Sequence, residues 1–381
     1  MPFPVPRFWE NGEELISNLD IPTGMVKVNL SENESKTLLG IVKYPTLNDR
    51  QLSERIEIKM STVTAIKNRL KDLGYFMTVR VPKLQNMGAE ILSVAYAHTN
   101  PALPEDMQVE VGRGLFEDFD ELFYIGAGPR YRFSMSMHRN YSSASQVLDG
   151  VLELYSRKGL LVHGGHQAVH FPFDQTKIYN FFDYSNLLEQ TFELRLPPRE
   201  EDASLHDGEY GAIQSHKLSR IERKVLRGLI QNPDLLDSSI SKRIDVTRQS
   251  VTKMRKRFSD LDLFFTQRAP NLDMLGFEMI ALVHTTYTPT STVKARSPAL
   301  AKMYDQLPIV FKADSNREGV EIVATRSYRE FETYLNRMTS SLWEQEAIEA
   351  DPKVLLFTFD DFIAVKNHVY SPGFTRVVEH D

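Results

Sequence analysis

Two basic stretches of the sequence carry the side-chain types that contact nucleic acid. The candidate residues of the first stretch are Ser61, Thr62, Thr64, Ala65, Lys67, Asn68, Arg69 and Lys71. Those of the second stretch are Arg248, Gln249, Thr252, Lys253, Arg255, Lys256 and Arg257. Asparagine, glutamine, threonine and lysine reach base edges in a major groove, and flanking cations suit phosphates. Both stretches therefore favour contact with double-stranded DNA.

Each of these assignments has a structural alternative. A basic helix is often only a solvated face of a protein. The arginines Arg69 and Arg257 have acidic residues three positions further on, Asp72 and Asp260, at the spacing of an ion pair on a helix.

Histidines form a second candidate group: His98, His138, His163, His166 and His170. Imidazoles that are brought together bind divalent metals or haem iron. We expect the end of one strand at His98, the end of another at His138, and the start of a third at His163 or His166 to approach one edge of a sheet. The group is thus a candidate site for a divalent metal or a small-molecule effector. The alternative is a set of separate histidines at strand ends.

No motif for catalysis is present. The sequence lacks a nucleotide-binding glycine loop, a G-x-S-x-G elbow and an H-E-x-x-H pair. The adjacent carboxylates Glu200, Glu201 and Asp202 lie in a polar stretch and are expected to be solvated. We therefore expect no catalytic residues and no enzyme activity.

Composition limits the kinds of site, the cellular location and the partners that we expect for the protein. The absence of cysteine from 381 residues excludes disulfides and zinc–thiolate sites and fits a cytoplasmic location. The start, MPFPVPRFWENGEE, does not have the pattern of a signal peptide. A run of about 18 apolar residues is missing, so we expect no membrane partner.

An internal repeat organises the chain. Residues 45–90 align with residues 233–278 without gaps, and roughly 18 of the 46 positions are identical. This similarity indicates an internal duplication, so the function is expected to be that of the repeated unit.

Positive charge is concentrated in the repeats. The formal net charge of the chain is −6. Residues 50–83 contain eight Lys and Arg against three Asp and Glu, and residues 241–268 contain the same numbers. Two local excesses of positive charge in an acidic chain are typical of nucleic-acid binding.

The fold class predicted from the pattern is α+β. Apolar residues at spacings of three and four predict three short helices in each repeat, followed by a short strand or wing, which is a winged helix-turn-helix. A βαββαβ order follows each time, which is the ferredoxin-like arrangement. The predicted boundaries are an N-terminal extension at 1–31, winged helix-turn-helix modules at 32–82 and 217–270, ferredoxin-like domains at 83–190 and 271–381, and a linker at 191–216.

This plan resembles the Lrp/AsnC family of transcription regulators. The residues that carry the resemblance are STVTAIKNRLKDLGYF followed by VPKLQNMG, and QSVTKMRKRFSDLDLFFTQRAPNLDMLG in the second copy, where Asp262 replaces Gly74. The resemblance implies sequence-specific DNA binding by a transcription regulator, with ferredoxin-like domains of the RAM type that pair and respond to a small-molecule effector. Neither GAGPRYRF nor ADSNREGVE preserves the glycine–aspartate step that the family associates with amino-acid effectors.

Two further implications follow from the resemblance. One chain with two copies is similar to a covalently linked pseudo-dimer, and a homodimer of such chains is a further candidate assembly. Siroheme decarboxylases share the same plan, can be fused in pairs and use histidines. A tetrapyrrole enzyme is therefore the alternative function.

Overall fold

The structure is a computed structural model, and it describes residues 30–199, 215–297 and 307–378. The fold class is α+β, as predicted. The helices with complete bounds are α1 (Glu32–Lys43), α2 (Asp49–Ile56), α3 (Met60–Asp72), α4 (Glu105–Asp118), α5 (Tyr141–Arg157), α6 (Ser185–Phe192), α7 (Arg220–Gln231), α8 (Asp237–Ile244), α9 (Arg248–Asp260), α10 (Tyr328–Glu344) and α11 (Ser371–Val378). Residues 293–297 are also helical.

The strands alternate with these helices in a recurring order. They are β1 (Phe76–Pro82), β2 (Ile91–Thr99), β3 (Leu122–Ala127), β4 (Tyr131–His138), β5 (Leu161–Pro172), β6 (Lys177–Phe181), β7 (Phe264–Pro270), β8 (Met279–Thr286), β9 (Ile309–Asp314), β10 (Glu318–Thr325), β11 (Lys353–Thr358) and β12 (Ile363–Lys366). None of the described helices is both long and apolar enough to span a bilayer. The predicted extension at 1–31 falls almost entirely outside the described residues.

Local sequence explains where the first helix of each module begins. Ser31 accepts a hydrogen bond from the backbone of Glu34, and the Glu34 carboxylate accepts one from the backbone of Ser31. Ser219 and Glu222 form the same reciprocal capping box at the start of α7. Such caps satisfy backbone donors that the helix itself leaves free.

The two modules are joined through their wings. Strands β1 and β7 pair antiparallel as a ribbon, in a register that places Phe76 opposite Pro270 and Pro82 opposite Phe264. In the repeat, Phe264 is equivalent to Phe76, and Pro270 is equivalent to Pro82. Exchanging the two modules therefore reproduces the same pairs, so the ribbon relates the modules by a local two-fold axis near Val79. The modules therefore lie side by side.

Each ferredoxin-like sheet is completed by a strand from the other half of the chain. The first sheet has the order β12-β3-β4-β2-β5, and the second has the order β11-β8-β10-β9-β6. Thus β12 extends the first sheet, and β6 extends the second. The predicted domains 83–190 and 271–381 therefore need correction, since each gives its last strand to the other sheet. The boundary at residue 190 also falls inside α6.

The two sheets pack face to face. Tyr96 on β2 contacts His284 on β8, with 2.8 Å between Oη and Nδ1. Lys353 donates a hydrogen bond of 2.7 Å to Gln167. Alternate residues of the strands point away from this interface and lie under α4 and α5 in the first half and under α10 in the second. The sheet-to-sheet contact matches the packing expected of paired domains.

The predicted linker at 191–216 is only partly described, because residues 200–214 lie outside the structure's described residues. Its first part is not a free spacer. Lys43 donates a hydrogen bond of 3.0 Å to the carbonyl of Leu196, and Arg55 donates one of 2.8 Å to that of Pro198. The chain after α6 is therefore fixed along the first module, which the polar composition of the segment did not indicate.

Candidate nucleic-acid interface

Helices α3 and α9 are the candidate recognition helices. Each buries an apolar stripe, with Val63 and Leu70 on α3 and Val251 and Phe258 on α9. This stripe anchors the helix to its module. The opposite face of each helix is consequently turned to solvent.

One aspartate in each module fixes two of the predicted DNA-binding residues. Asp49 accepts hydrogen bonds from Thr64 at 2.8 Å and from Lys67 at 2.6 Å. The same contacts recur in the second module, where Asp237 accepts a hydrogen bond of 2.7 Å from Thr252 and pairs with Arg255. These contacts therefore hold each candidate recognition helix against the helix before it. The residues involved are Thr64 and Lys67 in the first module and Thr252 and Arg255 in the second.

A second repeated ion pair occupies the predicted arginines. Arg69 lies 2.6 Å from Glu34, and Arg257 pairs with Glu222. The partners are thus the capping glutamates of the first helices, not Asp72 and Asp260. Hydrogen bonds from Ser31 and the charge of Arg69 hold the pKa of Glu34 below its usual value. The Glu34 carboxylate is accordingly charged at neutral pH.

Lys71 makes a contact that only one module has. Its ammonium group lies 3.0 Å from the Asp234 carboxylate of the second module. The residue at the repeated position is Ser259, which carries no charge. Lys71 therefore links the two modules, at a site where both side chains remain about half exposed.

The remaining predicted residues form two unlike faces. On α3 they are Ser61, Thr62, Ala65 and Asn68, and none of these carries a charge. On α9 they are Arg248, Gln249, Lys253 and Lys256, all of which are exposed. Within the described parts of the chain, Arg248, Lys253 and Lys256 have no ion-pair partner. We call these four residues of α9 the α9 basic face.

Sequence reasoning missed the acidic residues that fix the helices, namely Asp49, Asp237, Glu34 and Glu222. A signal for them was present, because Asp49 and Asp237 are 188 positions apart, as are Glu34 and Glu222. The partners are 15 to 35 residues away along the chain. Such pairs do not show in helical periodicity.

The histidines do not converge as expected, because β2 and β4 are antiparallel. His98 lies at the end of β2 opposite Tyr131, and His138 lies at the end of β4 opposite Ile91. The two ends of β2 are about 23 Å apart at the rise of a β-strand. His166 is level with Ala97, near His98, and His170 is level with Ser93, near His138.

The contacts of these histidines are those of separate side chains. Nε2 of His138 lies 2.7 Å from Ser136 Oγ, and Nδ1 of His170 lies 2.8 Å from Ser93 Oγ. Burial lowers the pKa of His138 to about 4, with a smaller effect from His170. The side chain of His163 lies outside the described residues. Among the side chains that the structure does describe, no three metal-ligand groups come together.

Comparison with known proteins gives likeness in structure alone. No protein-family model and no curated protein sequence matches the chain. The siroheme decarboxylase NirDL has a TM-score of 0.47 and 9% identity, over 91% of this chain and 98% of its own. AsnC of E. coli has a TM-score of 0.30 and 14% identity, over 37% of this chain and 93% of its own.

LrpC of B. subtilis is similar to the same extent, with a TM-score of 0.29, 12% identity and coverage of 38% of this chain and 95% of its own. These neighbours thus include a siroheme decarboxylase and two proteins, AsnC and LrpC, that match little more than a third of this chain. At such identities, an activity for this chain has to be argued from its own residues.

Proposed function

We propose that the chain is a sequence-specific regulator of transcription that binds double-stranded DNA, with two modules that arose by internal duplication. The observation that carries this proposal is the α9 basic face. Three exposed cations, Arg248, Lys253 and Lys256, stand on the outward side of a helix that follows a helix-turn-helix turn. A structural role would pair them with carboxylates, as it does Arg255 and Arg257.

The chemistry of this face suits a major groove. Each cation that neutralises a phosphate releases a counterion, so affinity should fall as salt rises, with a log–log slope of about −0.9 per phosphate. Gln249 presents an amide that can engage N6 and N7 of adenine together. On α3, Asn68 offers the same chemistry without neighbouring free charge. We therefore assign most of the affinity to the second module.

The ribbon of β1 and β7 supports a two-part binding site. It relates the modules by a local two-fold axis, so the two recognition helices are expected to meet DNA in half-sites about one helical turn apart. Because the outward residues of α3 and α9 differ, the preferred site should be an imperfect palindrome.

Selection of bound fragments from genomic DNA, followed by salt titration, tests the proposal. We expect Lys253→Ala/Lys256→Ala to reduce the salt slope by about 1.8, since two phosphate contacts are removed. The matched control is Lys294→Ala/Arg329→Ala, which removes the same charge from exposed positions of the second ferredoxin-like domain. Equal binding by the wild type and the first variant at physiological salt would refute the proposal.

The alternative, a tetrapyrrole enzyme similar to siroheme decarboxylases, has less support from the residues. It would use histidines, and those of the first domain lie at two ends of the sheet. A visible-absorbing tetrapyrrole on the purified protein, together with DNA binding that does not depend on Lys253 and Lys256, would favour the enzyme.

A further inference from the structure

The helix-covered sides of the two sheets differ in whether a buried charged side chain has a partner of opposite charge. In the second half, Lys312, Asp314 and Glu321 are completely buried beneath α10. Lys312 pairs with both carboxylates, at 3.3 Å from Asp314 and in direct contact with Glu321. Tyr287 donates a hydrogen bond of 3.1 Å to Asp314. This layer contains its own anions.

In the first half, the corresponding layer contains a cation without an anion. The Arg132 side chain is only 3% exposed. Its Nε and Nη1 are inaccessible to solvent and have no hydrogen-bond partner, and no carboxylate of the described residues pairs with it. Burial lowers the pKa of this guanidinium, and the only neighbour that counters the effect is Tyr155. Burying an unpaired charge in this way is strongly unfavourable.

The register of the sheets shows what is missing. Arg132 is level with Ala97 on one side and Ala127 on the other. The same position in the second sheet is Gly319, which is level with Thr285 and Asp314. At this strand position the second half has a glycine beside Asp314, whereas the first half has an arginine and the methyl group of Ala127 where Asp314 stands.

The Gly319 position shows how the second half fills this space. A Cβ on Gly319 would lie 2.3 Å from the Asp314 carboxylate and 2.6 Å from the Tyr287 hydroxyl. In the second half, therefore, a carboxylate and a phenol fill the volume beside the strand. The first half places a guanidinium at this position, and no carboxylate of its described residues pairs with it.

The surroundings of Arg132 are otherwise apolar. The cluster between the sheet and helices α4 and α5 includes Ala97, Val111, Leu115, Ile125, Val151 and Tyr155. A ligand here needs one anionic group for the guanidinium and an apolar body for the remainder. These requirements describe an apolar monocarboxylate.

Helix α4 is the element that could give access. Its N-cap residue, Pro104, makes no side-chain cap hydrogen bond. It also contains Gly112 and Gly114, and each glycine in a helix costs about 1 kcal/mol relative to alanine in general. By these criteria α4 is intrinsically less stable than α5, which Asn140 caps and which contains one glycine, Gly150.

We propose that Arg132 is the anchor of a binding site for a small apolar monocarboxylate, which lies between the first ferredoxin-like sheet and helices α4 and α5. The guanidinium would donate charge-assisted hydrogen bonds to the carboxylate through the N–H groups that have no partner in the folded chain. The site is independent of the DNA-binding proposal, because it uses none of the residues of α3 or α9.

Hexanoate binding to the full chain tests this site, with 1-hexanol as the uncharged probe of equal length. We expect hexanoate to raise the midpoint of thermal unfolding in a saturable manner, and hexanol to leave it unchanged. Arg132→Met should raise the midpoint without ligand and weaken hexanoate binding at least tenfold. Arg132→Lys, which keeps the charge but loses the planar set of N–H donors, should bind with intermediate affinity.

The matched control is Arg296→Met in the second half, where the buried guanidinium is already bonded to the carbonyl of Ser315 at 2.7 Å. This variant should lose stability and keep the hexanoate response. The proposal is overturned if hexanoate does not shift the wild-type midpoint, or if Arg132→Met and Arg132→Lys both bind hexanoate as tightly as wild type.

Discussion

Helices α3 and α9 share their framework and differ in their outward residues. Both are fixed by an aspartate at the start of the preceding helix and by a glutamate from the first helix. Beyond these contacts, α3 presents Ala65 and Asn68 where α9 presents Lys253 and Lys256. The comparison separates residues that position a recognition helix from residues that are free to bind.

The wings show the same kind of difference. Arg80 on β1 is buried and donates hydrogen bonds of 2.8 Å to the carbonyls of Leu229 and Pro233. Its counterpart on β7, Arg268, lies 3.4 Å from Asp234 and is more exposed. The first module thus contributes the buried polar connection between the two modules.

Loss of this connection should have the largest effect on stability. Arg80→Met leaves the carbonyls of Leu229 and Pro233 without this donor, so we expect the free energy of unfolding to fall by about 2–4 kcal/mol. Arg268→Met should cost less than about 1 kcal/mol, as is usual for partly exposed ion pairs. Denaturant titration of both variants measures the difference, and equal losses would mean that the wings are equivalent.

Lysine substitutions on α3 should remove the expected difference in DNA binding between the modules. Ala65→Lys/Asn68→Lys gives α3 the cations of α9, and we expect DNA affinity to rise about tenfold with a salt slope steeper by about 1.8. Fluorescence anisotropy with a selected fragment measures both quantities. Unchanged affinity would show that α3 does not approach DNA.

Exchange of helix caps should stabilise each module by a smaller amount. Asn48 caps α2, whereas Leu236 at the repeated position of α8 makes no side-chain cap bond. Thr247 caps α9, whereas Lys59 makes no such bond to α3. We expect Leu236→Asn and Lys59→Thr each to add about 1 kcal/mol to the free energy of unfolding. The reverse change, Asn48→Leu, should lower it by the same amount.

The smallest expected effect concerns Lys71. Because both partners of its ion pair with Asp234 are about half exposed, Lys71→Ala should cost less than about 1 kcal/mol, and less still at high salt. Thermal unfolding at two salt concentrations measures this change. Ser259→Ala provides the control at the repeated position. A loss above 2 kcal/mol would make Lys71 a principal contact between the modules.

The sequence predicts the helices of both modules well, because their apolar stripes have helical spacing and Ser31 and Ser219 precede glutamates at the spacing of capping boxes. Strands β6 and β12 were not predicted. They are five and four residues long, and each pairs with a strand far away in sequence. A short strand lacks enough alternation to be recognised, and its partner is set by tertiary packing.

The candidate site was predicted only in part, for a related reason. Residue type and helical position placed Lys253 and Lys256 on the outward face, where the structure also finds them. Residue type and helical position also assigned Lys67 and Arg69 to DNA. Neither property reveals their ion pairs with Asp49 and Glu34, which lie on other helices of the module. For the histidines, the expectation that the strand ends at His98 and His138 approach one edge was wrong, because the antiparallel register of β2 and β4 separates them.

The exchange of β12 has a consequence for synthesis of the chain. Strand β3 is made first, and the strand that covers its edge follows about 240 residues later. At ribosomal rates of about 5–20 residues per second, the edge of the first sheet waits roughly 12–48 s for its partner. During this interval it presents unpaired backbone groups to any other strand. Nascent chains on neighbouring ribosomes are therefore the competitors that this architecture has to avoid.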